Sequence, residues 1–208
     1  MKVIAFLGSP RKDGNTELLL NETIKGIVAS GRLERLAEES DSAGREVSGS
    51  AVQVFNLNLM KISPCQDCGG CDETGKCIVE DEMSQIYNAI RTADRIILAS
   101  PVFFFGLSAQ AKTMIDRCQA FWCEKYLLKK PISEGKFGRK GLLLLVGGMG
   151  KEAGIKCSEA TAKAFFRTIS VPEHKILSFL GIDAKGAILR HPTALKDAYE
   201  AGKELVRG

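Results

Sequence analysis

Short, wholly apolar runs alternate along the chain with longer segments whose apolar residues recur at helical spacing. Val3-Ile4-Ala5-Phe6-Leu7 is the first such run and reads as a buried strand. An amphipathic helix follows from about Asn15 to Ala29, with Leu19, Leu20, Ile24, Ile27 and Val28 on one face. Ala51–Leu57, Arg95–Ser100, Leu142–Val146 and Lys175–Leu180 are the second to fifth strands. Asp81-Glu82 is good N-terminal chemistry for a helix whose apolar face is Met83, Ile86, Tyr87 and Ile90. Ser108 caps a long helix through about Tyr126, another helix covers roughly Cys157 to Ile169, and Thr193–Val206 closes the chain. Pro101 to Gly106 reads as a loop, and Asn58 to Val79 as a long irregular segment. Five strands alternating with five helices predict an α/β fold with a parallel sheet covered on both faces.

In an open sheet of this kind, ligands bind beyond the carboxyl ends of the strands, at the switch point. Three loops leave those ends: Gly8–Thr16, Pro101–Ser108 and Gly147–Gly150. They follow strands 1, 3 and 4, which are neighbours in a five-stranded flavodoxin-like sheet of order 2-1-3-4-5. The first loop joins a strand to a helix N-terminus, where free N–H groups and the helix dipole favour an anion. Ser9, Asn15 and Thr16 add donors, Arg11 adds charge, and Gly14 permits close approach of the backbone. The loop is neither a Walker A motif nor a G-x-G-x-x-G turn, so an ordinary strand-to-helix turn is the competing reading. The second loop holds Pro101, Val102, Phe103, Phe104, Phe105 and Gly106. Three aromatics in a row cannot all point inward, so they suit either a planar ligand such as a flavin or a subunit interface.

The chain has 208 residues, which fits one domain spanning 1–208 with a cysteine-rich loop at 58–80. No apolar run approaches a membrane span and no signal peptide opens the chain, so a cytoplasmic protein is expected. The formal net charge of +4 is mild and its basic residues are dispersed, which does not suggest a nucleic-acid partner. The cysteines change the picture more. Cys65, Cys68, Cys71 and Cys77 are spaced x2, x2 and x5 on a Gly-rich stretch. Such clustering in a reducing compartment argues for metal or redox work, and one loop could supply all four ligands of an iron–sulfur cube. Free thiols or a disulfide are the alternatives, and compact spacing fits structural zinc less well. Cys118, Cys123 and Cys157 read as core residues, Trp122 as packing, and His174 and His191 as isolated. Nothing resembles a hydrolytic triad.

G-S-P-R-K-D-G-N-T at Gly8–Thr16 and S-P-V-F-F-F-G-L-S-A-Q-A-K-T-M-I-D-R at Ser100–Arg117 resemble the flavodoxin-like NADPH-dependent FMN reductases. With the cysteine stretch, the resemblance narrows to the iron–sulfur flavoproteins. It implies FMN held by its phosphate on Ser9, Arg11, Asn15 and Thr16. Its ring would lie against Pro101 through Phe105 with Gly147 and Gly148. It also implies a [4Fe-4S] cluster on Cys65, Cys68, Cys71 and Cys77, and a homo-oligomer, dimer or tetramer. A tyrosine is common where Phe103 stands, so any contact through that hydroxyl is absent here. The Gly31–Ser50 segment is longer than the family usually needs.

The expected function is FMN-dependent redox chemistry. Electrons enter from NAD(P)H or a ferredoxin-like carrier and leave to a small-molecule or protein acceptor. The alternatives are a cluster-free NAD(P)H:FMN or quinone reductase, a flavodoxin-like electron carrier without enzymatic activity, and a redox sensor reading the cysteines.

Overall fold

β1 (Val3–Leu7) is buried along its whole length because its alternate side chains feed two cores. Val3, Ala5 and Leu7 face one layer, while Ile4 and Phe6 face the other. The computed structural model describes residues 1–33 and 52–207. Most of the Gly31–Ser50 segment, and Ala51 at the expected start of the second strand, lie outside the described residues.

The remaining strands are β2 (Val52–Asn56), β3 (Arg95–Phe103), the two-residue β4 (Gly106–Leu107), β5 (Lys140–Gly147) and β6 (Glu173–Leu180). The sheet order is β2-β1-β3-β5-β6, with parallel pairing throughout. β4 lies off this path, so the order is the flavodoxin-like 2-1-3-4-5 expected from the sequence. α1 (Asn15–Ala29) and α6 (Ala194–Leu205) cover one face. α2 (Met83–Thr92), α3 (Ala109–Arg117), α4 (Gln119–Trp122) and α5 (Ala153–Thr168) cover the other. Two glycines allow α1 and α6 to touch backbone to backbone: a Cβ on Gly26 would lie 1.9 Å from the Tyr199 carbonyl oxygen, and one on Gly202 would lie 2.0 Å from that of Thr23.

Several expected boundaries move, each for a local reason. β3 does not stop at Ser100: Pro101 still pairs with Val146, and the strand runs to Phe103. What reads as a loop is therefore a hairpin, with Val102 opposite Leu107 and Phe103 opposite Gly106. Proline usually ends strand pairing, which is why the apolar residues after it read as a loop. The long third helix breaks at Cys118 and its last turn, Cys123–Leu127, widens to π geometry. α5 starts at Ala153, earlier than expected, because Gly154 is a packing contact and not a breaker: its Cβ would meet Val102 Cγ1 at 2.7 Å. Cys157 is exposed and so does not belong to the core. Among the described residues no helix is long and apolar enough to cross a membrane.

Candidate functional site

The Gly8–Thr16 loop lies over the switch point between β1 and β3. Gly8 N–H donates to Ala99 O at 2.8 Å, and Ser108 Oγ donates to Gly8 O at 2.6 Å. A Cβ on Gly8 would sit 2.8 Å from that hydroxyl, so the close strand-to-helix approach needs glycine there. Gly14 packs against the Arg11 carbonyl, 2.8 Å from where a Cβ would be. No side chain caps α1, which leaves its first-turn N–H groups facing the loop. Ser9, Asn15 and Thr16 are all buried beside this end, and the Thr16 hydroxyl has no partner among the described residues. Uncapped backbone N–H groups at a helix start are the chemistry that suits an anion.

Two of the expected phosphate residues have a further task. Asn15 Nδ2 donates to Ala184 O at 2.9 Å, and its Oδ1 accepts from Ile188 N–H at 3.2 Å. Arg11 Nη1 donates to Asp183 O at 3.3 Å. Both thus hold a fourth loop, Gly181–Gly186, against the first. Sequence reasoning missed this loop. Its signal was a pair of glycines after the last strand, and both adopt the left-handed conformation, with φ of 72° and 77°.

The β3–β4 hairpin turns through Phe104 and Phe105, whose φ values are +47° and +63°. Two consecutive bulky residues in the left-handed region is costly backbone, about 1–2 kcal/mol each. The turn turns the rings outward: Phe104 is fully exposed, Phe103 is 48% exposed and Phe105 38%. Pro101 is buried and Val102 half-buried. Gly147 closes β5 next to Val102, and a Cβ on Gly148 would press on Asp183 Oδ1 at 2.9 Å. A crevice between hairpin and glycine loop is lined by Val102, Phe104, Phe105, Gly147, Met149 and Lys151. The uncapped start of α1 and the apolar crevice both lie at the carboxyl edge of the sheet. That pairing fits a ligand with a phosphate at one end and a planar ring at the other.

The cysteine loop is built separately. Arg117, at the end of α3, is 1% exposed and donates to Ser63 O at 2.8 Å and Val79 O at 3.2 Å. It also pairs with Asp81 at 2.6 Å, so both ends of the loop are fastened by one side chain. Burial pushes the Asp81 carboxyl up, but hydrogen bonds from Arg117 and from the Ser63 and Met83 N–H groups outweigh it, and its pKa is lowered. Cys65, Cys68, Cys71 and Cys77 line one cavity of about 280 Å³ with Ile78 and Leu127. The thiol pair in contact, however, is Cys71 with Cys123, at 3.6 Å. Asp72 Oδ1 accepts from Cys123 Sγ at 3.3 Å. Burial raises both thiols, Cys123 to about 12. Cys123 and Asp72 were missed as site residues because they lie 51 residues apart in sequence and only the tertiary fold brings them together.

The histidines are structural. His191 Nδ1 accepts from the N–H groups of Thr193 and Ala194 at the start of α6. His174 stacks on Phe166 at 4.9 Å, and burial lowers its pKa.

Comparison with known proteins gives the family and the fold. An iron–sulfur flavoprotein of Archaeoglobus fulgidus is 32% identical over 151 residues, covering 73% of this chain and 57% of that protein. One from Methanocaldococcus jannaschii is 39% identical over 117 residues, covering 56% and 51%. The chain thus spans a little over half the length of these curated relatives. Among solved structures, an NAD(P)H:quinone oxidoreductase from Methanothermobacter marburgensis superposes with a TM-score of 0.68 at 14% identity, covering 100% of this chain and 98% of that one. An FMN-dependent NADH-azoreductase from Bacillus anthracis, in complex with FMN, gives 0.64 at 13% identity and covers both chains fully. At such identities the superpositions show a shared fold. The sequence model of NADPH-dependent FMN reductases matches residues 1–178, and the chain belongs to that family.

Proposed function

We propose that the chain binds FMN and is an oxidoreductase that takes electrons from NAD(P)H and delivers them to a small acceptor such as a quinone or free flavin. The observation that carries this reading is the uncapped α1 N-terminus, with buried Ser9 and Thr16, beside the outward-facing phenylalanine hairpin. Bound FMN would supply chemistry that accepts a hydride and releases electrons singly or in pairs. Ser9, Arg11, Gly14, Asn15 and Thr16 would hold its phosphate. Pro101, Val102, Phe103, Phe104 and Phe105, with Gly147 and Gly148, would bound its ring and keep water from one face. Lys151 is the one titratable side chain among the described residues lining the crevice, and the rest of the lining would bind and orient the ring.

A second reading adds a [4Fe-4S] cluster and a ferredoxin-like electron partner. The shared cavity of Cys65, Cys68, Cys71 and Cys77 supports it, as do the names of the curated relatives. The exposed hairpin, with Trp122 and Tyr126 also exposed, supports a homo-oligomer, dimer or tetramer. Four free thiols suit a reducing, cytoplasmic setting.

Steady-state oxidation of NADH and NADPH by the purified protein, with quinone or free flavin as acceptor, tests the first reading. Turnover is expected. Flavin that is bound but reduced by neither nicotinamide would leave an electron carrier instead. Light scattering at micromolar concentration is expected to give a mass above that of one chain.

A further inference from the structure

The glycine loop after β5 ends in a fixed turn. Gly154 N–H donates to Lys151 O at 3.3 Å, which closes the turn at the start of α5. A Cβ on Gly154 would lie 2.7 Å from Val102 Cγ1 and 3.6 Å from Phe105 Cα, so the hairpin is seated on this turn. Lys151 is thereby held in the wall of the crevice, and it is exposed. The rest of the wall is Val102, Phe104, Phe105, Met149 and glycine, with no second charge among the described residues. Two acids stand close by without entering the wall: Glu152, next in the chain, and Asp183, which packs on Gly148. No side chain caps α5, and Gly154 in its first turn lines the crevice, so the positive end of the helix dipole lies there too.

We propose that Lys151 sets the reduction potential of the flavin, its ammonium group offsetting the negative charge that the ring acquires on reduction. The proposal rests on the FMN reading above and goes beyond it, from holding the cofactor to tuning it. A hydride from the nicotinamide carries one proton and two electrons. The nicotinamide C–H bond breaks, an N5–H bond forms on the flavin, and one net negative charge is left along the N1 edge of the ring. The oxidised ring carries no such charge. A cation at the ring end of the site therefore favours the reduced form over the oxidised one, and that difference is read as a potential. Apolar walls strengthen the effect, because they hold little water to screen the charge. Arg11 cannot take this part. It stands on the Gly8–Thr16 loop, at the phosphate end, and the phosphate charge does not change on reduction. Hydride transfer asks no proton of Lys151, so its part is electrostatic and not that of an acid or base.

The test uses the full chain loaded with FMN and equilibrated without oxygen against a dye of known potential. Parent and variants share the same cysteine loop, so a difference between them belongs to the flavin. Lys151→Met is expected to lower the preference for reduced over oxidised FMN about tenfold, which is about 30 mV in the two-electron midpoint. Its affinity for oxidised FMN should stay within about threefold of the parent, because the oxidised ring has no charge to lose a partner. Lys151→Arg keeps the charge and should keep the midpoint. Lys156→Met removes an exposed charge further along α5, outside the crevice wall, and should move the preference by less than about threefold. A parent that binds FMN with a Lys151→Met preference within about threefold of it would overturn this proposal alone. So would a Lys156→Met shift as large as that of Lys151→Met, since net charge and not the crevice would then be acting. A parent that binds no FMN overturns the FMN reading, and this proposal with it.

Discussion

Arg117 Nη1 lies 2.6 Å from Asp81 Oδ2, and this pair closes the cysteine loop. The same guanidinium reaches the carbonyls of Ser63 and Val79, just before Cys65 and just after Cys77. Tyr87 Oη in turn donates to the Arg117 carbonyl at 2.8 Å. Removing one partner of a buried pair leaves the other uncompensated, which typically costs about 3–5 kcal/mol. Arg117→Ala is expected to lower the urea midpoint accordingly. It should also raise the reactivity of Cys65, Cys68 and Cys77 toward a thiol reagent, because both loop ends are released.

The same pair sets an acid sensitivity. Asp81 has a lowered pKa in the folded chain, so its contribution to stability is complete above the ordinary aspartate value of 3.8 and is lost as pH falls below it. Asp81→Asn should remove that part of the acid-side decline. Denaturant midpoints of parent and variant, measured from neutral pH down to about pH 3, should converge at the acid end.

At the hairpin, Phe104 combines a left-handed backbone with complete exposure. Its ring contributes no burial to offset the strain. Asparagine tolerates that conformation, so Phe104→Asn should raise stability by about 1 kcal/mol in denaturant unfolding. If Phe104 also meets the flavin ring, the same variant should bind FMN more weakly by equilibrium titration. Stability and cofactor affinity would then move in opposite directions, the pattern expected where strain is kept for function.

Gly26 offers a purely structural control. Its missing Cβ would lie 1.9 Å from the Tyr199 carbonyl oxygen, a backbone atom that cannot rotate away. Gly26→Ala should force α1 and α6 apart and destabilise the fold by about 3 kcal/mol, even though alanine is the better helix former. A thermal melt would read the loss.

The sheet was legible because it rests on apolar runs such as Val3–Leu7 and Leu142–Val146, whose burial on both faces leaves one reading. The order of the strands was that of the flavodoxin-like sheet, in which the strands before the three candidate loops are neighbours. The hairpin was not legible, because Pro101 carries a local stop signal that pairing with Val146 overrides. Neither was the role of Cys123. Helical spacing gives Cys118 and Cys123 no common face, but it does not say that Cys123 meets Cys71, 52 residues earlier in the chain, because that contact is made only by the tertiary fold. The Asn15 amide shows a third limit: its type and position announce a helix N-terminus, but its partners, Ala184 and Ile188, lie far along the chain.

Cys68→Ala separates the two cofactor readings. Cys68 lines the cysteine cavity, whereas the Gly8–Thr16 loop and the hairpin are built on other elements. If the four-cysteine motif holds an iron–sulfur cube, anaerobically prepared protein should carry about four iron and four sulfide per chain, with broad absorbance that dithionite bleaches. Cys68→Ala should lose the iron and keep FMN at parental stoichiometry. Cys123→Ser should keep the iron, because its sulfur lies outside the motif. Parent protein that holds FMN but no iron after anaerobic purification and reconstitution would leave the cluster-free reductase as the reading. Exposed Cys65 and Cys68 would then react readily with a thiol reagent, and Cys71, whose sulfur contacts that of buried Cys123 at 3.6 Å, would react more slowly.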